Sequence, residues 1–255
     1  MSIISSKDLT FFTLGGTAYA GNLISFDFDI ERITQSCKAF NARHDTQAEV
    51  KAEATFSAQT KRRDSGPICQ TAKLVSELTL GLLDYAATFT GATFNVKTNS
   101  QRADAAGDAY KTYQAITTDF DGTIDVMIDS AETNSVIDLI ATGSDSDRRK
   151  TLTFTDGVAT LEIPIFMNGC KKTGQDGDIT KLQIRFKGDG TPVSAGGSLF
   201  ATALTGTSVV TYVINDSVDD IQGSALIDSA SITIARDEIT KEQYSFLGLG
   251  APTVA

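Results

Sequence analysis

Tryptophan is absent from the 255 residues, proline occurs four times, cysteine three times and histidine once. The lone His44, between Arg43 and Asp45, leaves no Ser-His-Asp set and no metal-ligand spacing, and reads as a solvated loop residue. Cys37, Cys69 and Cys170 are odd in number, widely spaced and free of any C-x-x-C. They signal neither a disulfide framework nor a zinc site and read as small buried or half-buried thiols, with intersubunit disulfides as the alternative. No apolar run is long enough to span a bilayer, and the start MSIISSKDLTFFTL lacks the charged n-region and long apolar core of a signal peptide. The expectation is a protein made and kept in the cytoplasm, without a membrane partner. Basic residues are also scarce: 22 against 32 acidic ones give a net charge of −10. That balance argues against a grip on phosphates, though an acidic surface suits a channel through which DNA slides. Gly-rich phosphate loops and G-x-S-x-G are missing, so no cofactor is expected.

What is present favours strands. Thr, Val, Ile and Phe recur in short runs within an ordinary globular composition of 41% hydrophobic and 21% charged residues. Ile24, Phe26, Phe28 and Ile30 alternate with Ser25, Asp27, Asp29 and Glu31, and Val50, Ala52, Ala54 and Phe56 alternate with Lys51, Glu53, Thr55 and Ser57. Residues 1–22 have no clean period and read as an arm that packs on a neighbour. Leu74, Val75, Leu78, Leu82 and Leu83 recur at helical spacing, weakened by Gly81, so a helix is expected over 71–85. The small polar run 98–109 reads as a long flexible loop or joint. The basic turn 61–67 and the acidic clusters Asp145-Ser-Asp147 and Gln175-Asp-Gly-Asp178 read as surface loops, the latter lacking a full calcium-ligand series.

The most readable stretch is 150–192. Leu152 and Phe154 precede a turn at Asp156-Gly157; Val158, Leu161, Ile163 and Ile165 form a second strand expected to end at Asn168-Gly169. After a polar loop, Ile179, Leu182, Ile184 and Phe186 alternate with basic and polar residues, and Gly188-Asp189-Gly190 stops the strand. Upstream, 123–128 reads as a strand and 129–140 as a short helix that Gly143 ends. This order of strand, helix, strand, Asp-Gly turn, strand, loop and strand closing on Gly-x-Gly-x-Pro resembles the tail tube (major tail) proteins of tailed bacteriophages. The resemblance covers residues 119–192 well and 20–60 loosely.

It implies a mainly β, tail-tube-like sandwich or barrel with one or two short helices, long loops and extra C-terminal strands. The implied division is an arm at 1–22, a tube domain at 23–192 and C-terminal repeat strands at 193–255. The implied function is structural and not enzymatic: a virion subunit, synthesised in host cytoplasm, that self-assembles into stacked six-fold rings around a DNA channel. Its other partners would be further tail proteins such as the tape measure, terminator, sheath or baseplate, with DNA passing through without specific binding. Candidate lumen-facing residues are Asp27, Asp29, Glu31, Glu53 and Asp125. A capsid decoration or baseplate role is the alternative within virion proteins.

One motif points elsewhere. Asp119-Phe-Asp-Gly-Thr matches the D-x-D-G-T signature of haloacid dehalogenase phosphatases, with Asp119 as nucleophile and Asp121 as acid/base. That chemistry needs the carboxyl end of a buried parallel strand, whereas residues 113–118 are half polar and 124–128 alternate onward as a strand. A turn before a strand is the better reading.

Finally, residues 239–252 lie over 179–192 with Ile, Thr, Lys, Gln, Phe, two Gly and Pro shared, at an offset of 239 − 179 = 60. Only the last strand and its ending are matched at this level. A partial copy favours six chains per ring with the C-terminal segment as added strands; a complete duplication would need three.

Overall fold

The computed structural model describes residues 11–14, 17–18, 23–37, 46–61, 77–80, 83–85, 88–105, 108–127, 130–155, 160–174, 181–195, 199–204, 209–215, 220–235 and 240–254. The expectations for His44, Cys69, residues 62–67, Asp156-Gly157 and residues 175–178 lie outside these.

The fold is mainly β. Short strands β1 (Phe11–Leu14) and β2 (Thr17–Ala18) precede a long hairpin of β3 (Leu23–Cys37) and β4 (Thr46–Lys61). The same set then recurs as β5 (Glu77–Leu80), β6 (Leu83–Asp84), β7 (Phe89–Arg102) and β8 (Tyr113–Met127). Helices α1 (Ser130–Thr142) and α2 (Asp145–Arg148) lead into β9 (Arg149–Thr155), β10 (Thr160–Thr173), β11 (Lys181–Gly188) and β12 (Val193–Ala195). Helix α3 (Leu199–Leu204) leads into β13 (Val209–Asn215), β14 (Asp220–Ala235), β15 (Lys241–Gly248) and β16 (Thr253–Val254).

An antiparallel run of eight strands, β3-β4-β15-β14-β7-β8-β11-β10, forms the centre. With Leu226 and Leu247 paired on the other face, alternation puts most apolar residues of this run on one face. That face is covered by the flanking strands, by α1 through Val136 and by α3 through Phe200, all within one hydrophobic core. Phe94 sits at its middle, ringed by Phe154, Phe186 and Phe200 at centroid distances of 5.2, 5.7 and 6.5 Å.

The pairing registers repeat throughout the chain. Leu23 faces Thr60 as Phe89 faces Val126, a displacement of 89 − 23 = 66 on both strands, and the two bulges of the hairpin, after Leu23 and Ile33, recur after Phe89 and Asn99. Phe11 faces Asn215 as Glu77 faces Thr155, the first strand displaced by 66 and the second by 215 − 155 = 60. Ile165 faces Gly188 as Ala225 faces Gly248, and a bulge after Met167 recurs after Ile227. The pairing of β12 with β10 is matched by β16 with β14. The repeat is therefore not confined to the final strand, as the 60-residue match alone suggested. It comprises a continuous set, β5–β12, and a split set, β1–β4 with β13–β16, whose halves flank the continuous one. Gly190 and Gly250, equivalent by 60 residues, both take positive φ, 145° and 89°, which is why the Gly-x-Gly-x-Pro ending was kept in both copies.

Several expectations are corrected. Residues 77–80 and 83–84 are strands, because Leu78 and Leu80 gain a ladder with Phe154 and Leu152 that outweighs helical periodicity. Part of the expected arm, Phe11–Leu14, is a strand on β13. Asn168-Gly169 is a bulge inside β10 and not its end. Helix α1 forms where expected, closed by the Gly143 amide on the Leu139 carbonyl at 3.0 Å. Asp145 and Asp147 belong to α2, capped reciprocally by Ser144.

Candidate functional site

The wet face of the central run is continuous across both sets, since residues paired across antiparallel strands share a face. On it, β7, β8, β14 and β15 enclose a groove of about 920 Å³ lined by Asn95, Lys97, Asp119, Asp121, Ser231 and Gln243 among others. Its acids, Asp119 and Asp121, are held by neighbouring amides, and its Lys97 is held by Asp228 just outside it. Asn95 Nδ2 donates to Asp121 at 2.9 Å, Asn99 Nδ2 to Asp119 at 2.8 Å, and Lys97 pairs with Asp228 at 2.7 Å.

The structure separates the five candidate lumen acids. Asp27, Asp29 and Glu31 are exposed on β3, at one end of the central run. Asp125 is half-buried on β8 and accepts from Gln183 Nε2 at 2.9 Å. Glu53, on β4, binds Lys111 Nζ at 2.6 Å and accepts from the Tyr113 hydroxyl. Burial pushes the Glu53 carboxyl up, but Lys111 and Tyr113 outweigh it and bring it below its ordinary value. Burial, reinforced by Glu53, raises the Tyr113 phenol.

Glu53 belongs to a cluster that sequence reasoning missed. The connection between β7 and β8 is not a loose joint. Its backbone runs beside β4, with the Ala52 amide donating to the Ala109 carbonyl at 2.8 Å and the Lys111 amide to the Ala52 carbonyl at 2.9 Å. Asp104 is held by Arg102 and Lys51, and its side chain is only 3% exposed; those two cations, Arg102 foremost, keep its carboxyl far below the usual carboxylate range. The signal was the charge pattern R-x-D against K-x-E, which becomes readable only once the fold carries the β7–β8 connection over to β4.

Asp119 and Asp121 lie within β8 rather than in a turn before it, flanked by antiparallel β7 and β11. An added Cβ on Gly122 would lie 2.4 Å from the Thr93 carbonyl oxygen and 2.6 Å from the Phe186 Cζ, so the glycine admits both the neighbouring strand and the ring. Neither carboxylate stands at the carboxyl end of a parallel strand, the position that D-x-D-G-T chemistry requires. Among the described residues no three His, Cys, Asp or Glu side chains gather to hold a metal ion. No described helix is long and apolar enough to cross a membrane. The Cys170 thiol is half-buried on β10, and burial raises it against the pull of Arg185.

No protein-family model and no curated protein sequence matches the chain. Solved structures similar to it include the virion of a native gene transfer agent particle, at 10% identity and TM-score 0.38, covering 50% of this chain and 100% of that one. Another is the tail of an empty gene transfer agent particle with C6 symmetry, at 9% identity and TM-score 0.37, covering 51% and 100%. A third is the extended sheath–tube complex of an extracellular contractile injection system, at 14% identity and TM-score 0.36, covering 48% and 88%.

Proposed function

We propose that this chain is a structural subunit of a phage-type tail tube and that it carries two tube modules. The observation behind this reading is the pairing register, which occurs twice at displacements of 66 and 60 residues and builds one continuous sheet with a wet face and a packed face. One module would be β5–β12, the other β1–β4 with β13–β16, in place of a domain at 23–192 with added strands. The phage family that the chain resembles builds six-fold rings. Two modules per chain then make three chains per ring, in place of the six favoured by the partial repeat.

In such a ring the wet face would line the channel. Asp27, Asp29 and Glu31 would contribute exposed carboxylates, Asp125 a tethered one, and Glu53 would hold the hairpin connection in place. The acids of this face repel phosphates, while Lys97, Lys181, Arg185 and Lys187 are exposed beside them, so the lining would be mixed in sign and would offer DNA no uniformly basic track to grip. Tape-measure, terminator, sheath or baseplate proteins would be its other partners, in a virion. Eight strands per chain give 24 in a ring of three. Spaced by about 4.8 Å and tilted by about 40°, they close on a backbone circle roughly 48 Å across.

The test is negative-stain imaging of the concentrated protein, with the mass of isolated rings. Rings or tubes containing three chains are expected. Particles that decorate capsids or never form rings would instead favour a decoration or baseplate role. Mg²⁺-dependent phosphatase turnover abolished by Asp119→Asn would overturn the structural reading.

A further inference from the structure

Inside the chain, the two sets of strands are joined by one antiparallel seam. Gly91–Lys97 of β7 pairs with Ser229–Ala235 of β14, from Ser229 opposite Lys97 to Ala235 opposite Gly91. The displacements of 66 and 60 carry these partners onto residues 25–31 of β3 and, within the described strand, onto residues 169–173 of β10. Among the described residues neither of those edges has a strand on it. β3 pairs with β4 alone, and β10 from Gly169 to Thr173 pairs with β11 alone, its other neighbours ending at Phe166. The two edges lie at opposite ends of the eight-strand run, so they do not meet within one chain.

We propose that copies of this chain join head to tail through these edges, β3 of one copy on β10 of the next, in the register of the internal seam. Gly169 then faces Glu31, Cys170 faces Ile30, Lys171 faces Asp29, Lys172 faces Phe28 and Thr173 faces Asp27. The proposal goes beyond the tube reading by fixing the edges and the register, and it rests on the repeat rather than on that reading.

Burial supports it. Ala92, Phe94 and Val96, which the seam covers, are each 2% exposed, whereas their counterparts Phe26, Phe28 and Ile30 are left half-buried. Opposite them, Ala230 and Ile232 are buried, while their counterparts Cys170 and Lys172 are half-buried and exposed. A strand laid on the β3 edge would complete the packing that β14 provides for β7. Charge supports it too. On the wet face the β3 edge carries Asp27, Asp29 and Glu31, and the β10 edge carries Lys171. An isologous β3–β3 pairing would set the three acids against themselves, which is destabilising for directly opposed strands. The heterologous pairing sets Lys171 against Asp29 and, because its two edges differ, propagates from copy to copy, closing a ring where the rotation per copy permits. A strand of fifteen residues with an unpaired edge is otherwise an aggregation hazard, so an occupant of fixed register also answers a folding problem.

The experiment is disulfide trapping in the full chain with Cys37→Ser and Cys69→Ser. Ile30→Cys then stands opposite the native Cys170, at the cross-strand spacing of about 4.5–5.5 Å that a disulfide accepts. Oxidation is expected to convert the assembled protein into covalent multimers that reductant dissolves and Cys170→Ser abolishes. Asp29→Cys with native Cys170, one residue off register and on the other face, should not link. Should Ile30→Cys not fold, Asp29→Cys with Lys171→Cys and Cys170→Ser makes the same test on the exposed face. Rings or tubes that form without either link would overturn the seam and leave the tube reading intact. Linked multimers that never build a tube would keep the seam and overturn the tube. A chain that remains monomeric at all concentrations would overturn the seam.

Discussion

The continuous and split sets of strands share a register and fill it differently. In the continuous set, Val126 faces Leu182, Ile124 faces Ile184 and Gly122 faces Phe186. At the same places in the split set, Thr60 faces Glu242, Ala58 faces Tyr244 and Phe56 faces Phe246. The first layer is apolar in one set and polar in the other, where Glu242, only 2% exposed, accepts from the Tyr244 hydroxyl at 2.8 Å. The aromatic layer changes as well: Phe246 stacks on Phe56 at 4.1 Å, whereas Phe186 lies over a bare glycine. Backbone pairing and bulge positions survived divergence because a one-residue slip would turn every side chain to the wrong face. Side-chain identity did not, because a core tolerates exchange if volume and polarity are balanced locally.

The largest effect should come from breaking that balance in the aromatic layer. Phe186→Ala and Phe246→Ala each remove a buried ring, at a cost of about 3–5 kcal/mol. Phe186→Ala should lie at the upper end, because Gly122 has no side chain to move into the void, while Phe56 can relax after Phe246→Ala. Denaturant unfolding of the disassembled subunit measures both. Equal losses, or a larger one for Phe246→Ala, would show that the two layers are not packed differently in any way that matters.

A second contrast lies along β4 and β8, equivalent strands of the two hairpins. The connection after β7 is fastened to β4 through Lys51, Asp104, Lys111 and Glu53. On β8, just before residues 117–119 that correspond to Lys51–Glu53, Ile116 is 62% exposed. The carboxyls of Asp104 and Glu53 sit below their ordinary values in the folded protein. Their contribution is therefore present above the usual carboxylate range and is lost as pH falls through the lowered folded values. Hydrogen exchange at the Lys111 and Ala52 amides should accelerate under acid before the amides of β7 and β14 do. Asp104→Asn should accelerate it at neutral pH and flatten the acid dependence. An unchanged profile would mean that the ion pairs do not hold the connection.

How much of this was legible in the sequence depends on what divergence spared. Alternation gave away β3, β4, β11 and β14, and the Gly-x-Gly-x-Pro endings gave away the 60-residue repeat, because positive φ at Gly190 and Gly250 tolerates little else. The 66-residue repeat was hidden. Over residues 23–37 and 89–103 only Phe28 with Phe94 and Gln35 with Gln101 coincide, since a half-buried strand constrains polarity and leaves identity free. The split of one set around the other hid it further, placing β4 and β15 side by side across 179 intervening residues, from 62 to 240. The cluster around Glu53 was illegible for the same reason: its partners come from the other copy of the hairpin.

The finest test of the comparison is at the bulge. In the split set Ser229 and Ser245, paired in register, share a hydrogen bond between their hydroxyls at 2.6 Å. In the continuous set the equivalent pair is Gly169 and Arg185, and an added Cβ on Gly169 would lie 2.8 Å from Arg185 Nη2. The missing side chain is thus the space that the guanidinium uses. Gly169→Ser alone forces the guanidinium aside, and because it is the far end of a flexible chain the cost should stay near 0.5 kcal/mol. Arg185→Ser alone loses only an exposed group. Made together, the two substitutions rebuild the serine pair of the split set, so the double variant should be more stable than the sum of the singles by about 0.5–1 kcal/mol. Strict additivity in that cycle would show that equivalence in register does not extend to equivalence of the pair.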